Sequence, residues 1–252
     1  MIILYIKRNV LRGMGIALLC LILLGCGTML SPQVAPTAVT GQKPIYAVER
    51  SDKTMAISFD ASWGAEHTET ILAILEQHNV KTTFFLVNLW IEEYPEMVKA
   101  IHEKGHEIGL HSATHPKFTE LSQSQITKEL TANQAAIEKL TGQKPTIFRP
   151  PFGDYNSDVI ATVSGLGITS VQWSIDSLDW QGLTAQEIAD RILKDAAPGA
   201  IVLLHNNGDH TAEALELFLP ALLNEGYTII PVGELISENG YTDNNGILHP
   251  AE

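Results

Sequence analysis

Short apolar runs alternate with amphipathic segments along most of the chain after residue 44. The segment Thr68–His78 places its isoleucines and leucines at the spacing of one helix face. Met55–Phe59 is instead a short, nearly unbroken apolar run, which is typical of a strand buried on both faces. This repeated alternation predicts parallel strands that are connected by helical crossovers.

The remaining elements follow the same pattern as far as Val232. A leading strand is expected at Ile45–Glu49, and Gly105 and Gly142 mark the ends of two helices. Further strands are expected at Met55–Phe59, Thr82–Val87, Glu107–Leu110, Thr146–Phe148, Thr169–Ser174, Ala200–Leu204 and Tyr227–Val232, and helices at Thr68–His78, Ile91–Lys104, Ser122–Leu140, Ser157–Ser164, Ala185–Ala196 and Thr211–Asn224.

Two architectures accommodate this alternation, an open doubly wound sheet and a (β/α) barrel. No GxGxxG or Walker-type glycine pattern is present in the sequence. Five apolar runs instead end at a polar or ionisable residue, namely Asp60, His111, Arg149, Asp176 and His205. Many strand ends contribute to one site in a barrel, whereas an open sheet concentrates its site at a switch point. We therefore predict a (β/α) barrel of seven or eight strands that is incomplete.

Residues 1–27 have the composition of an export signal. Three basic residues precede the apolar run Gly13–Gly25, and the leader contains no acid. The run is shorter than the roughly 20 residues of a membrane span, although a signal anchor that includes Met1–Ile6 is an alternative. Leu-Leu-Gly-Cys, ending at Cys26, resembles a bacterial lipobox. It predicts a lipoprotein on the outer face of the cell membrane, whereas an ordinary signal peptide would give a secreted protein.

The rest of the chain divides into three parts. Residues 28–43 are rich in proline, threonine, alanine and glutamine and are expected to form a flexible linker. Residues 44–240 contain the alternating pattern and are expected to form the folded domain. Residues 241–252 are expected to form a polar tail.

Charge and cysteine content restrict the possible chemistry. The formal net charge is −13, and it becomes −16 without the three cations of the leader. Nucleic acid is therefore a poor partner on electrostatic grounds. Both cysteines, Cys20 and Cys26, lie in the leader, so a metal in the folded domain has only histidine and carboxylate side chains as strong ligands.

Two segments at the ends of the apolar runs carry candidate functional residues. His111 and His115 are four residues apart after a strand and can converge on one divalent ion through a tight turn, although such a pair also arises by chance. Arg149 precedes two prolines and could hold a carboxylate, or it could form a structural ion pair.

Two further strand ends carry an acid pair and a histidine. Asp176 and Asp179 follow one strand together with Trp180, which is also compatible with a simple polar turn. His205 ends a buried strand and could exchange protons near neutral pH, although a hydrogen-bonded core histidine is the commoner case. The coincidence of all these groups at successive strand ends indicates a single site.

These segments, in this order, resemble the polysaccharide deacetylases of the NodB-homology type, carbohydrate esterase family 4. HSATH resembles the His-Ser/Thr-x-x-His metal motif, RPPFG the Arg-Pro-Pro-Tyr motif, DSLDW the Asp-x-x-Asp-Trp motif and LLH the Leu-x-His motif. The resemblance covers about Met55–Ile236 and implies an irregular seven-stranded barrel. The FDASWG turn further resembles the sporulation-associated, PdaB-like branch.

The resemblance implies a hydrolase that removes the acetyl group from N-acetylated amino sugars. It implies that His111 and His115 bind a divalent metal, with zinc expected and cobalt, nickel or manganese as alternatives. Such a metal would polarise the acetyl carbonyl and lower the pKa of a water molecule. Asp60 would be the base that takes the proton of this water, and Arg149 would orient Asp60.

The resemblance also implies roles on the other side of the reaction. His205 would protonate the departing amine, and Asp179 would keep His205 charged and correctly oriented. The backbone N–H of Phe152 would bind the oxyanion, while Trp180 and Leu203 would form an apolar slot for the acetyl methyl group.

Ala61 departs from the family pattern. The family has two adjacent acids at the first strand end, the base and a third metal ligand, and here the second is alanine. Asp60 could become the ligand and cease to be the base, another acid such as Asp154 or Glu66 could reach in, or the site could be degraded. Because both histidines of the motif are present, we expect some metal to bind.

The leading interpretation is a metal-dependent de-N-acetylase that acts on an extracytoplasmic polysaccharide. Peptidoglycan is the expected substrate, or another glycan that contains N-acetylglucosamine, and the membrane is the expected partner of the N-terminal anchor. A catalytically impaired glycan-binding protein of the same fold is the first alternative, because of Ala61. A different metal-dependent amidohydrolase on a barrel is the second.

Overall fold

The computed structural model describes residues 43–237 and 240–251. The strands are β1 (Ala47–Val48), β2 (Thr54–Ala61), β3 (Thr83–Leu86), β4 (Glu107–Leu110), β5 (Ile147–Phe148), β6 (Thr169–Ser170), β7 (Ile175–Asp176), β8 (Ile201–His205), β9 (Thr228–Ile230), β10 (Gly240–Thr242) and β11 (Ile247–Pro250). The helices are α1 (Thr68–Gln77), α2 (Asn88–Glu93), α3 (Pro95–Glu103), α4 (Gln123–Thr141), α5 (Ser157–Gly165), α6 (Ala185–Asp195), α7 (Thr211–Asn224) and α8 (Val232–Leu235).

The main sheet is parallel and curled. Its strands follow the order β6-β5-β4-β3-β2-β8-β7, and β9 pairs with the beginning of β2. The two edge strands, β6 and β7, are separated in sequence by only the residues 171–174. Five residue steps of extended chain span about 17 Å at most, so the two edges must lie close together. This confirms the predicted barrel, in which the path from β6 to β7 contains seven strands.

The central strand β2 has two different faces. Met55, Ile57 and Phe59 belong to the large apolar core that also contains the helices, whereas Ala56 belongs to a second apolar cluster. The second cluster includes residues of α8, β1 and β11. Since successive side chains point to opposite faces, Ser58 and Asp60 share the side of Ala56. The inside of the curled sheet is therefore apolar near the start of β2 and polar near its end.

One predicted helix and one predicted strand differ from the structure. The helix expected at Ile91–Lys104 is two helices, α2 and α3, because Pro95 lacks an N–H and Tyr94 before it has non-helical backbone angles. The strand expected at Thr169–Ser174 contains only β6, in its first two residues, and the chain then crosses to the opposite edge of the sheet, where β7 begins at Ile175. A single apolar run contains no signal for this change of partner.

The polar tail expected at residues 241–252 is a wrong prediction for most of that segment. The strands β10 and β11 form an antiparallel pair, and β11 pairs in parallel with β1. Leu248 is completely buried and belongs to the second apolar cluster. Each strand is too short to produce a clear periodic pattern, which is why the sequence concealed them.

The segment around β1 lies against the open side of the barrel. Ile45 donates its N–H to Ser170 O of β6, and Gln172 N–H donates to Ile45 O. Ala47 forms an isolated bridge to Ala200, just before β8. The leading strand was therefore predicted correctly, although the observed strand is shorter than the predicted one. Its segment contacts both β6 and the residue before β8, on the two sides of the opening between the edge strands. The leader and the linker up to residue 42 lie outside the described residues.

Candidate active site

Asp60 is buried at the end of β2, where the predicted base was expected. Arg149 Nη1 donates a hydrogen bond to Asp60 Oδ1 at 2.8 Å, and its Nη2 donates to Ser58 Oγ at 2.8 Å. The arginine side chain is completely buried. One carboxylate oxygen of Asp60 is thus fixed by an ion pair, and Oδ2 is the oxygen left for other chemistry.

Arg149 rests on an aromatic side chain inside the barrel. Its guanidinium lies 4.2 Å from the ring centre of Phe85, which is the β3 neighbour of Asp60. Gly109 is the corresponding position on β4, and a Cβ there would lie 2.5 Å from two carbons of the Phe85 ring. Glycine at this position therefore makes room for the ring that supports Arg149.

The surroundings of Asp60 favour its charged form. Burial acts to raise the pKa of this carboxyl, but the guanidinium of Arg149, the nearby imidazoles of His111 and His205 and the hydrogen bond from Arg149 together lower it by more. The net effect is that the pKa of Asp60 lies below the usual range of an aspartate. Asp60 is consequently ionised at neutral pH, as a general base must be.

The Nε2 atom of His111, which carries no hydrogen, faces Asp60. The Nδ1 atom of the same ring lies 2.7 Å from the backbone oxygen of Arg149, which can only accept, so Nδ1 carries the hydrogen. Burial lowers the pKa of His111 in spite of the charge of Asp60, and the ring is therefore neutral. Its Nε2 lone pair lies 3.4 Å from Asp60 Oδ2. Two acceptors in this arrangement form a place for a cation or a proton.

The turn that carries the two histidines is held by α4. Asn133 Oδ1 accepts from the His111 N–H at 3.0 Å, and the Glu129 carboxylate accepts from the N–H groups of Ala113 and Thr114. The rings of His111 and His115 have centres 5.0 Å apart. The structure thus brings the predicted histidine pair together.

His115 is also neutral at physiological pH. Burial and then the neighbouring His111 lower its pKa to about 4, while the charge of Asp60 opposes the shift. The backbone N–H of His115 donates to Ser112 Oγ at 2.9 Å, which helps to close the turn. A neutral imidazole is the form that binds a metal ion.

His205 and Asp179 form the second pair of the site. His205 Nδ1 lies 2.7 Å from Asp179 Oδ1, and Asp179 Oδ2 accepts from the His205 N–H and from Thr211 Oγ1. Burial acts to lower the pKa of His205, but the hydrogen bond and the charge of Asp179, with smaller effects of Asp60 and Asp176, raise it overall. The surroundings therefore favour the charged form of this imidazole, in which Nε2 is the remaining donor.

A pocket of 390 Å³ joins these groups at the carboxyl end of the barrel strands. It is lined by the predicted residues Asp60, His111, His115, Phe152, Trp180, Leu203 and His205, and also by Ser62, Trp63, Gly153, Trp173, Asp176 and Asn207. Arg149 and Asp179 lie behind the lining, each bonded to a residue of the pocket. All nine predicted site residues are thus in the pocket or next to it.

The loops around the pocket contain unusual backbone conformations. Five non-glycine residues in the described part of the chain have positive φ, and four of them lie in these loops, namely Ser112, His115, Phe152 and Leu178. Left-handed backbone at bulky residues is unfavourable, and it persists where the surrounding structure fixes it. The loops of the site are therefore held in defined shapes.

Ala61 does not line the pocket. It is completely buried and belongs to the large apolar core. Asp154 accepts two hydrogen bonds from Thr119, and neither it nor Glu66 lines the pocket. The structure therefore brings in no substitute from these two acids.

The donors for a metal ion are few. Among residues 43–237 and 240–251, no three histidine, cysteine or carboxylate side chains are grouped closely enough to hold a metal ion. The neutral His111 and His115, however, are suitable donors, and the bare nitrogen of His111 faces a carboxylate oxygen. The two histidines thus fit a divalent cation, with Asp60 Oδ2 as the nearest additional oxygen.

Comparison with known proteins agrees with the arrangement of the site. The family model for polysaccharide deacetylase matches residues 47–171. The peptidoglycan-N-acetylmuramic acid deacetylase PdaA of Bacillus subtilis is 32% identical over 197 residues, which cover 77% of this chain and 75% of PdaA. The chain belongs to the polysaccharide deacetylase family. The resemblance of its first turn to the PdaB-like branch stays a prediction.

A second relative of this polysaccharide deacetylase chain is longer. The peptidoglycan-N-acetylglucosamine deacetylase PgdA of Listeria monocytogenes is 34% identical over 189 residues, which cover 75% of this chain and 40% of PgdA. The chain therefore spans less than half of the length of that protein.

Solved structures share the fold of this family member. The structure of B. subtilis PdaA, a family 4 carbohydrate esterase, has a TM-score of 0.75 at 30% identity and covers 79% of this chain and 87% of PdaA. BA3943 of Bacillus anthracis, described as a pseudoenzyme of the same family, has a TM-score of 0.75 at 31% identity, with 84% and 74% of the two chains covered. The fold thus occurs both in a carbohydrate esterase and in a pseudoenzyme.

The sequence did not reveal the residues that support the site. Asn133 and Glu129 lie in the middle of a long amphipathic helix, and nothing in its periodicity separates them from surface residues. Trp63 could have been suspected, because it follows Asp60 within a turn of small residues. Asp176 was predicted as one of the strand ends of the site, without an assigned role, and the structure places it in the pocket.

Proposed function

We propose that this protein removes acetyl groups from the N-acetylated amino sugars of an extracytoplasmic polysaccharide, with peptidoglycan as its substrate. The observation that carries this proposal is that one pocket contains two ion pairs, one around a carboxylate and one around a histidine. Asp60 is kept ionised by Arg149, and His205 is kept protonated by Asp179. The site therefore holds a base and an acid at the same pH, which amide hydrolysis needs.

Asp60 Oδ2 accepts a proton from a water molecule while the water oxygen attacks the acetyl carbon. Arg149 holds Oδ1 and so directs Oδ2 toward the pocket. The carbonyl oxygen gains negative charge in this step, and the Phe152 N–H is the donor proposed to meet it. Phe152 lies in a left-handed turn after two prolines, which fixes the direction of its backbone.

His205 completes the reaction from the other side. Its Nε2 hydrogen passes to the amide nitrogen as the C–N bond breaks, so that acetate and a free amine leave. Asp179 fixes Nδ1 and keeps Nε2 turned to the pocket. Leu203 and Trp180 line the same pocket and provide apolar surface for the acetyl methyl group.

His111 and His115 are the residues that would hold a divalent metal ion, for which we propose zinc. When bound, the ion would supply positive charge that polarises the acetyl carbonyl and acidifies water. Because Asp60 Oδ2 is the nearest oxygen to His111 Nε2, binding of the ion and the role of the base compete for one atom.

Peptidoglycan is proposed as the substrate because PdaA and PgdA are named for acting on it. Another glycan that contains N-acetylglucosamine is the wider class. The experiment is acetate release from purified peptidoglycan and from N-acetylglucosamine oligomers by the wild type, Asp60→Asn and His205→Ala. We expect both substitutions to lower kcat at least 100-fold. Glu69→Gln, an exposed acid of α1, should behave as the wild type and is the matched control.

A glycan-binding protein without activity is the second candidate. It is favoured by the alanine at position 61 and by the similarity to a pseudoenzyme. Glycan binding without acetate release, even with added zinc, would select it. Hydrolysis of small amides without any action on glycans would instead select a different amidohydrolase. Zinc affinity, measured by calorimetry on the wild type and on His111→Ala, tests the metal separately.

We also propose that the protein is exported and held at the outer face of the membrane through a lipid on Cys26. Within residues 43–237 and 240–251, none of the helices is long and apolar enough to cross a membrane. The support is the lipobox-like sequence of the leader. Release of the Cys26→Ser protein from the membrane fraction would be expected, and retention of that variant would argue for a signal anchor.

A further inference from the structure

Exposed aromatic side chains are concentrated at the pocket. Four large aromatic residues in the described part of the chain are mostly exposed, and three of them line the pocket, namely Trp63, Phe152 and Trp180, at 60%, 65% and 61% exposure. The fourth is Tyr241, which does not line it. Exposed tryptophan is costly in water, so its concentration at one opening indicates a surface that is covered by a ligand.

Trp63 is held on a fixed turn. The backbone oxygen of Gly64 accepts from Trp90 Nε1 at 2.6 Å and from Asn206 Nδ2 at 2.8 Å, and both donor residues are completely buried. Asn206 directly follows His205 at the end of β8. The exposed indole is therefore presented by a backbone that is fixed to the core and to the strand of the proposed acid.

Gly64 is required for this turn. Its φ is +70°, and a Cβ would lie 2.6 Å from Glu66 Oε2 and 3.2 Å from Asn207 Cβ. Such a conformation is unfavourable for other residues. The fixed backbone of this turn therefore helps to set the direction of Trp63.

The aromatic residues lie on two sides of the reacting groups. Trp63 and Phe152 both contact the ring of His115 edge-on, at 5.6 and 4.6 Å between centres. Trp180 instead follows Asp179, the partner of His205. A chain of sugars that crosses the pocket would therefore meet an aromatic surface on the histidine-pair side as well as on the acid side.

We infer that Trp63 binds a sugar ring next to the one that loses its acetyl group, so that the protein selects oligomers over single amino sugars. The apolar C–H face of a pyranose can lie on an exposed indole, and burying these two surfaces is favourable. This inference rests on the proposed function for its substrate class. It adds a specificity-determining residue outside the four motifs, in the turn that also contains Ala61.

The test compares Trp63→Ala, Trp63→Phe and Tyr241→Ala with the wild type. Calorimetric titration with the N-acetylglucosamine tetramer and with the monosaccharide gives affinities that do not depend on turnover. KM and kcat for acetate release from both are measured in parallel. Tyr241→Ala is the matched control, since Tyr241 is equally exposed at 60% and lies outside the pocket.

We expect Trp63→Ala to weaken tetramer binding and raise the tetramer KM about tenfold, with kcat and monosaccharide binding unchanged. Trp63→Phe should restore most of the affinity. Unchanged tetramer binding by Trp63→Ala would overturn the inference, and so would an equal loss for both ligands or no tetramer binding by the wild type. Trp63-dependent binding of the tetramer without acetate release would support the sugar-binding role of Trp63 and refute the proposed function.

Discussion

Two carboxylates at the pocket serve opposite purposes. Asp60 lines the pocket and has a lowered pKa, because Arg149 stabilises its charge. Asp179 is buried behind His205 and raises the pKa of that imidazole. The separation of the two environments lets the site keep an ionised acid and a charged histidine together near neutral pH.

Substitution of Asp179 by asparagine should change the pH dependence of the reaction. Without the carboxylate, burial lowers the pKa of His205, so its proton is lost at a lower pH. The alkaline limb of the kcat–pH profile should therefore move to lower pH. Asp190→Asn, an exposed acid of α6, is the control and should leave the limb in place. An unmoved limb in Asp179→Asn would contradict the assignment of His205 as the acid.

At the residue scale, the sequence predicted the residues at the pocket better than the residues that support them. The nine predicted site residues stand at strand ends and in motifs, and all of them meet at one pocket. Ala61 was expected to leave a ligand position empty, whereas the structure shows it as a core residue. Ala61 is still part of the ladder, paired with Leu86, so strand alternation places it on the face opposite to Asp60.

Among the elements, the strands β2, β3 and β4 form the foundation of the site. Asp60, Phe85 and Gly109 are aligned across these three strands, and Arg149 lies over the ring of Phe85. Gly109 thus leaves room for the ring of Phe85, and that ring supports the ion pair of Arg149 and Asp60. This arrangement depends on register, which fixes the face of every side chain along a strand.

Gly109→Ala should disturb this row. The added methyl group would lie 2.5 Å from two carbons of the Phe85 ring and 3.2 Å from Ile147 Cγ1. We expect a loss of about 1–3 kcal/mol in the free energy of unfolding, measured by urea denaturation, together with reduced kcat. The matched control is Gly165→Ala at the end of α5, where a Cβ meets nothing within 4 Å. Equal stability of the two variants would show that Phe85 can move freely.

The limits of prediction at the element scale have physical causes. Long helices were predicted well, as in α4, because a capping serine and a terminal glycine delimit its periodic pattern. The split at Pro95 was visible in principle and was missed. The strands β6 and β7 have two residues each, and their partners depend on curvature of the whole sheet.

In the molecule as a whole, the first and last described strands close the barrel. Ile45, which precedes β1, contacts β6, β1 itself contacts the residue before β8, and β11 pairs with β1. Leu248 of β11 is buried in the second apolar cluster together with residues of β2 and α8. The C-terminal strands are therefore part of the folded domain.

Leu248→Ala should destabilise the entire domain. Removal of a fully buried leucine side chain costs about 2–5 kcal/mol, since it loses apolar burial and leaves a cavity. Tyr241→Ala on the neighbouring strand should change the free energy of unfolding by less than about 0.5 kcal/mol, because Tyr241 is mostly exposed. Urea denaturation of both variants measures the difference. A small loss for Leu248→Ala would mean that the C-terminal strands unfold independently.

The ion pair between Arg149 and Asp60 joins residues that are 89 positions apart, and the turn of Trp63 is fixed by a side chain 142 positions away. Contacts of such separation require closure of a long loop, and the entropic cost of that closure comes before the contact can stabilise the fold. The base, the turn and the acid thus come into being together with the closed barrel. A partly folded chain without these contacts therefore lacks the assembled site, however much helix it contains.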